Sequence, residues 1–490
     1  MSKLFIGWAE ENVTPDVPVS LVGQFYERIS QYVETPLTVT ALAIETDEDH
    51  AVIVSGDLTS ASHNLLCQIR EQLAGVKGLD PMKVTLGATH THTSIDYTNA
   101  FDFGGFDIFA DNLPSGVEYV PVVTTAAEGV QTPAEGRAML IERITKVIKD
   151  AWVARKPGYI ANGFGRAVVG MNRRTCYDDG SAKMWGDTND ACFTTLEAGT
   201  DSGIEMLFTY DENKKITGAM LNVSCPAQVL EHRSFISSDY WGKVKIELRH
   251  KLGDDFYLLG MCGAAGDLCP RDLIRWVEPH VPILDPNIER KVVLPRKADP
   301  SMFEIEGTIK IGKRISREVM DAIEEVGELI GDTELIHKTI VMDLPFRRVT
   351  MGEYNEAKEK FDRYITGKKT VNYADKANTL FECGIMQRYV EQQTRDLVNV
   401  EVHVMKLGSI AIATNPFEIF VDYGNQIRAR SKASQTFISQ LTCGSYGYLP
   451  TEHAENGGHY SAFVGSGTLG HASGEMYVRK IIAEINEMFE

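Results

Sequence analysis

An α/β fold of mixed, largely parallel β-sheets flanked by helices is what this sequence predicts, on three observations. Short runs of apolar and β-branched residues recur, alternating with stretches whose apolar residues fall at helical spacing. One strand–helix–strand succession is compact enough for a βαβ unit, whose two strands pair in parallel. No internal repeat, linker or low-complexity stretch interrupts the alternation, so residues 1–490 are expected to form one continuous α/β domain.

Along the chain, Ala41-Leu-Ala-Ile-Glu and Ala51-Val-Ile-Val-Ser-Gly-Asp read as neighbouring buried strands joined by an acidic turn at 46–50. Leu65, Leu66, Ile69 and Leu73 then mark a helix over 62–75, and Lys83-Val-Thr-Leu-Gly-Ala-Thr is the strand that closes the βαβ unit. Residues 100–136 carry no clear period, and so long an irregular stretch reads as a lid-like segment. Leu140, Ile141, Ile144, Val147 and Ile148 predict a helix over 137–152. Further strands are expected at 217–224 and 256–262, with a hairpin over 401–414 turning at Gly408-Ser409. Residues 353–399 read as a helical excursion on the outside. Pro282 to Pro300 read as a surface excursion, and 474–489 as the last helix.

Composition excludes several classes. At 43% hydrophobic and 24% charged, the 490 residues match neither a disordered nor a fibrous chain. The 68 acids against 49 Lys and Arg leave a net charge of −19, which argues against nucleic acid or an anionic membrane as the main partner. No apolar run reaches the ~18 residues of a membrane span, and the N-terminal stretch meets acids too early for a secretory signal. The eight cysteines form no Cys-x-x-Cys pair and read as reduced thiols of a cytoplasmic protein. A small-molecule substrate and a homo-oligomeric state are the expected partners.

Four segments carry chemistry. Gly87-Ala-Thr-His-Thr-His-Thr-Ser ends a predicted strand, and in a continuing strand His90 and His92 would project from one face, as at the start of a zinc site. In Gly260-Met-Cys-Gly-Ala-Ala-Gly-Asp-Leu-Cys-Pro-Arg, small residues after an apolar strand bring Asp267 and Cys269 to the carboxyl edge of a sheet. Cys269 is open as nucleophile, metal ligand or buried thiol. Glu418, in Ala413-Thr-Asn-Pro-Phe-Glu-Ile-Phe, is an acid among apolar residues, costly unless paired with an arginine or bound to a metal. The Gly-rich loop 444–460 concentrates Tyr446, Tyr448, Glu452, His453, His459 and Tyr460, residue types suited to ligand handling.

Taken in order, Thr89-His-Thr-His, Gly266-Asp-Leu-Cys-Pro, Asn415-Pro-Phe-Glu and Tyr448-Leu-Pro-Thr-Glu…Gly457-Gly-His-Tyr resemble the catalytic domain of neutral/alkaline ceramidases. Gly7-Trp-Ala-Glu, Ser55-Gly-Asp-Leu, Met171-Asn-Arg-Arg and Ser238-Asp-Tyr fit the same pattern, which covers most of residues 5–490. The resemblance implies a zinc ligated by His90, Glu418 and Tyr448. It places His92 and Tyr460 at the reacting carbonyl and Arg173 facing the site. Asp267 and His459 would line the substrate.

Two departures stand out. Where the family carries a second ligand histidine, this chain reads Asn222-Val-Ser-Cys-Pro-Ala-Gln-Val-Leu-Glu-His-Arg, with Pro226 at the histidine position. That leaves His232, Cys225 or Gln228 to substitute, His232 if the loop bends back. Cys269 stands in place of the family's serine. Neither the family's secretory signal nor its C-terminal β-sandwich is expected, which points away from membrane ceramide. The resulting expectation is a metal-dependent hydrolase acting at a carbonyl (amide, ester, lactone or activated ketone) of a small polar, sugar- or polyol-derived substrate. Two alternatives stay open: a metal-free hydrolase using Cys269 with His92 or His459 as base, and a non-catalytic ligand-binding protein.

Overall fold

A computed structural model of the chain describes residues 2–100, 108–120, 128–275 and 304–490. Its main elements repeat one pattern three times. Three strands form an antiparallel meander, a helix crosses over, a fourth strand runs parallel to the third, and a second helix closes the unit. The first copy holds β1 (Phe5–Asn12), β2 (Thr38–Glu45), β3 (His50–Gly56), α1 (His63–Leu73), β4 (Val84–Ala88) and α2 (Pro133–Val153). The second holds β5 (Tyr159–Arg166), β6 (Gly203–Tyr210), β7 (Ile216–Val223), α3 (Asp239–Leu252), β8 (Tyr257–Cys262) and α4 (Glu304–Glu324). The third holds β9 (Leu335–Pro345), β10 (Leu397–Leu407), β11 (Ile410–Thr414), α5 (Val421–Arg430), β12 (Gln435–Ser439) and α6 (His471–Met488). In each sheet the four strands lie side by side in chain order, the last pair parallel, as in Val54↔Leu86, Leu221↔Gly260 and Ile412↔Phe437.

The pleat decides how the sheets meet. Successive side chains alternate between faces, and one face of every sheet enters a common cluster. There Ile6, Trp8, Leu42, Ile44 and Ile53 from the first sheet pack with Leu207, Met220, Leu259 and Met261 from the second. Leu335, Met405, Ile410, Ile412 and Phe437 come from the third. The opposite faces are covered by each unit's own two helices: α1 and α2 over Val39, Val52, Val54 and Leu86, α3 and α4 over Phe208, Leu221 and Leu258, α5 and α6 over Val400, Val402, Ala411 and Ile438. Asn222, fully buried in β7, laces two sheets together. Its amide donates to the Ile438 carbonyl (2.8 Å) and accepts from the Ile438 N–H (2.9 Å) and from Arg428 Nη2 (3.1 Å).

The predicted βαβ unit is β3–α1–β4, with Ser62 capping α1 through the Leu65 N–H. The strands read at 217–224 and 256–262 are β7 and β8, and the hairpin turns at Gly408 with φ +58°. The expectation of largely parallel sheets needs correction: antiparallel pairings predominate among the described residues, with short turns at 46–49, 211–215 and 408–409 joining the second and third strands of each unit. The threefold recurrence corrects the expectation of no internal repeat. Helix α2 starts at Pro133, with Thr132 and Glu135 forming a capping box, four residues before the expected start at 137, and α6 starts at His471.

Within 100–136, residues 108–111 are helical and Glu118–Val120 pairs with Thr370–Asn372. Ile108 and Phe109 pack on Phe361, Ile365 and Met386 of the helices Met351–Ile365 and Leu380–Glu391, which make up the excursion read at 353–399. The stretch from Pro282 to Pro300 lies outside the described residues. No described helix is long and apolar enough to cross a membrane.

If Asn222 holds two sheets together, Asn222→Ala leaves buried backbone groups of Ile438 unpaired and should cost about 1–3 kcal/mol per group. Chemical denaturation would show this against Asn162→Ala, an exposed amide expected to change stability by under about 0.5 kcal/mol.

Candidate functional site

Strand direction gathers the loops. In every unit the end of the first strand, the start of the second and the ends of the third and fourth share one edge of the sheet. The segments leaving those edges (89–95, 171–174, 224–233, 263–271, 415–420 and 440–461) therefore converge, as expected for the carboxyl edge of parallel pairs.

The His-x-His pair does converge, but on a turn and not on a strand. β4 stops at Ala88, and His90 has φ +63°, a left-handed conformation that no strand contains. Surrounding bonds hold it there: Thr91 and Thr93 hydroxyls donate to the Ser237 carbonyl (2.8 Å each), and the His92 N–H donates to Ala227 O (3.2 Å). The buried Arg28 guanidinium donates to the His92 carbonyl (2.7 Å). The two imidazoles meet edge to face, centroids 4.8 Å apart.

Glu418 and Tyr448 are register partners in a two-residue parallel pair, Glu418–Ile419 with Tyr448–Leu449. Gly266 is what permits this approach, since a Cβ there would run into the Glu418 carbonyl oxygen. Arg173 follows the short strand Met171–Asn172, which pairs with Leu268–Cys269. Its guanidinium donates to Gln228 Oε1 (3.2 Å), the Gly266 carbonyl (3.0 Å) and Tyr448 OH (3.3 Å). Tyr460 sets its ring edge-on to Tyr448 (5.5 Å) and against Phe25 (5.4 Å), which is half exposed.

Electrostatics follow from burial. Burial works to raise the Glu418 carboxyl, but His90, Arg173 and Tyr448 outweigh it and hold the group below its ordinary range. Burial lowers His92, keeping the ring neutral. It pushes the Tyr460 phenol and the Cys269 thiol each up to about 12, and Tyr448 well above its ordinary value. Burial opposes the Arg173 charge, which Tyr448, Cys269, Glu418 and Tyr460 hold on.

The donor chemistry fits a zinc-type metal. The Thr59 carbonyl can only accept, so its 2.5 Å contact places a proton of His90 on Nδ1 and makes Nε2 the nitrogen open to a metal. That nitrogen lies 3.4 Å from Glu418 Oε2 and 3.4 Å from His92 Nε2. Two ligand atoms on one tetrahedral zinc are separated by roughly 3.3–3.6 Å. His90, Glu418 and His92 thus point acceptors at one region. Tighter three-residue clusters, Cys176–Glu197–His453 and Glu401–His403–Cys443, occur elsewhere among the described residues. Both are centred on a glutamate already paired with an arginine, Arg174 or Arg70.

Other predicted residues lie apart from this group. His232 faces Glu304 (3.0 Å) and does not return to His90, because Arg233 and His232 together hold that carboxylate. Cys225 is buried with its thiol toward the Pro226 carbonyl. Gln228, the third substitute, does reach the site, as the partner of Arg173. Asp267 braces the scaffold: Asn172 Nδ2 and the Val421 N–H each donate to it at 2.8 Å, engaging both carboxylate oxygens. His459 accepts from the Met184 N–H (3.2 Å) and packs on Phe381. The thiol of Cys269 faces the Arg271 carbonyl at 3.5 Å. Sequence reasoning passed over Glu231, whose carboxylate faces His92 Nδ1 at 3.5 Å. It is an acid in the apolar run Val229-Leu-Glu, the same signal that singled out Glu418.

No family model and no curated protein matches the chain. Two solved structures do. A neutral ceramidase from Pseudomonas aeruginosa aligns over 98% of this chain and 74% of its own, with a TM-score of 0.65 and 18% identity. A ceramidase complexed with C2 aligns over the same shares with a TM-score of 0.64 and 15% identity. The chain has the fold of the neutral ceramidases.

Two outcomes are expected. Gly266→Ala should displace Glu418 and destabilise the protein by about 1–3 kcal/mol in thermal or chemical unfolding. Iodoacetamide applied to folded protein at pH 8 should label exposed Cys192 and leave Cys269 unmodified, as read by peptide mass mapping.

Proposed function

We propose that this protein is a metal-dependent hydrolase acting at a carbonyl, an amide first, of a small polar substrate of sugar or polyol type. The observation that carries the reading is the meeting of His90 Nε2 with Glu418 Oε2 and with His92 Nε2, each at 3.4 Å, three groups that can each ligate a cation. Such a cluster in a buried site calls for a cation. His90, Glu418 and Tyr448 are the residues assigned to hold the metal, zinc in the first instance. A bound zinc would supply Lewis acidity toward the carbonyl and acidify a water.

The chain's own groups complete the chemistry. Burial lowers His92 and favours the neutral ring, which with its hydrogen on Nδ1 can accept a proton at Nε2. The Tyr460 phenol, protonated at any physiological pH, can donate a hydrogen bond to the carbonyl oxygen. Arg173 fixes Tyr448 and keeps positive charge beside the reacting centre. The fold likeness to ceramidases supports amide hydrolysis as the first chemistry to assay. Eight cysteines without a disulfide suit a reducing, cytoplasmic setting, with a small molecule and further copies of the chain as partners. Cys269 as a metal-free nucleophile is disfavoured, because a thiol held near 12 yields almost no thiolate at neutral pH.

One observation favours a second reading, a ligand-binding protein without turnover: Pro226 stands at the second histidine position of the ceramidase pattern, and nearby Gln228 is engaged by Arg173.

Metal analysis of purified, zinc-supplemented protein should find one zinc per chain. His90→Ala and Glu418→Gln should lose it, together with at least about 100-fold of any activity on a panel of N-acyl amino sugars. Absence of bound metal with hydrolysis retained would refute the proposal. Bound ligand with no turnover on the panel would favour the second reading.

A further inference from the structure

We propose that Glu231 is the positioning residue for His92, fixing its proton on Nδ1 and its Nε2 toward His90 and Glu418. The argument is one of hydrogen-bond direction. A guanidinium can only donate, so Arg173 Nη1 turns the Gln228 amide oxygen toward itself (3.2 Å). The Gln228 NH2 then points the other way and donates to Glu231 Oε2 (3.3 Å). A carboxylate can only accept, so it favours the His92 tautomer that carries its hydrogen on the nitrogen facing it, Nδ1 at 3.5 Å. That nitrogen is buried and has no hydrogen-bond partner among the described residues, so the Glu231 carboxylate is the polar group placed to set its state.

Arg173, Gln228, Glu231 and His92 thus form one oriented row. It starts at the cation beside Tyr448 and ends at the base. The row also accounts for the departure at Pro226. The segment that would carry a second ligand histidine instead supplies Gln228 and Glu231, and so orients the imidazole that faces His90. Glu231 lies across the His92 ring from His90, on its Nδ1 side, and so does not itself replace the missing ligand. The positioning role rests on the proposed function only where it concerns rate. The tautomer it sets can be observed without metal or substrate.

The test is long-range 1H–15N correlation on full-length protein labelled with 15N-histidine, whose 12 histidines make the spectrum tractable. His92→Asn identifies the His92 signals. The expected result is an Nδ1–H form for His92 in the parent protein and a substantial shift to Nε2–H in Glu231→Ala. Glu231→Leu, closer in volume, is read in the same way should the alanine variant not fold. Glu231→Asp should restore part of the Nδ1–H form, and Gln228→Leu should shift it partly. If His92 keeps Nδ1–H in folded Glu231→Ala or Glu231→Leu, or shows Nε2–H in the parent protein, the proposal is overturned. Once an amide substrate is identified, Glu231→Ala should lower kcat about 10–100-fold with KM little changed. Loss of zinc binding in His90→Ala is a separate readout, so the two readings can fail independently.

Discussion

Three sheets share one apolar cluster, and most of the molecule's organisation follows from that. A four-stranded sheet with one face in a common core and the other under two helices must be apolar on both sides. The alternation Ala51, Val52, Ile53, Val54 in β3 meets this demand, with Ala51 and Ile53 turned to the common core and Val52 and Val54 to the helices. Burial on both faces also means that no strand edge at the junction can leave its polar groups to water. Asn222 resolves this where β7 meets β12, and Gln440 does so beside β8, its N–H donating to the Cys262 carbonyl while its side-chain oxygen accepts from Ala265 N–H. The site is built from the loops that leave this laced edge, so its precision derives from the core beneath it.

Much of this was legible in the sequence, and the misreading has a physical cause. Strands buried on both faces appear as continuous apolar runs, the usual mark of a parallel sheet. Here the same signature comes from three antiparallel meanders packed around one core, so the βαβ unit at β3–α1–β4 was read correctly and then over-generalised. The threefold repeat left no trace in the residues because only topology recurs. Each unit carries an insertion of different content between its first two strands, at 13–37, 167–202 and 346–396.

The site divides along the same line. His90, His92, Tyr448 and Tyr460 announce themselves through residue type, Glu418 through its cost of burial and Arg173 through the ceramidase resemblance, and they do come together. Asp267 and His459 share that residue chemistry, yet their polar atoms are engaged by Asn172, Val421 and Met184. What sequence does not carry is direction. Nothing in Glu-His-Arg tells which of Glu231 and His232 turns inward, because that choice is made by Glu304, more than seventy residues on, which draws His232 and Arg233 to itself.

Charge explains why the inward turn of Glu231 matters. Glu418 and Glu231 are both buried carboxylates held in the ionised form, Glu231 at about 2 despite burial, through His92, Arg271 and Arg173. Arg173 is the permanent cation that touches this group directly, and its hydrogen bonds run to Gln228 on one side and Tyr448 on the other. Arg173 thus stands between two carboxylates and lowers both, while Arg271 adds its charge on the Glu231 side. An uncompensated buried charge costs several kcal/mol. The geometry answers this asymmetrically: Glu231 receives the Gln228 amide and His92, whereas Glu418 shares Arg173 and faces Nε2 of His90. The imbalance is therefore concentrated at the end where His90, Glu418 and His92 meet, which is where a bound cation would lower the energy of the fold as well as serve the chemistry.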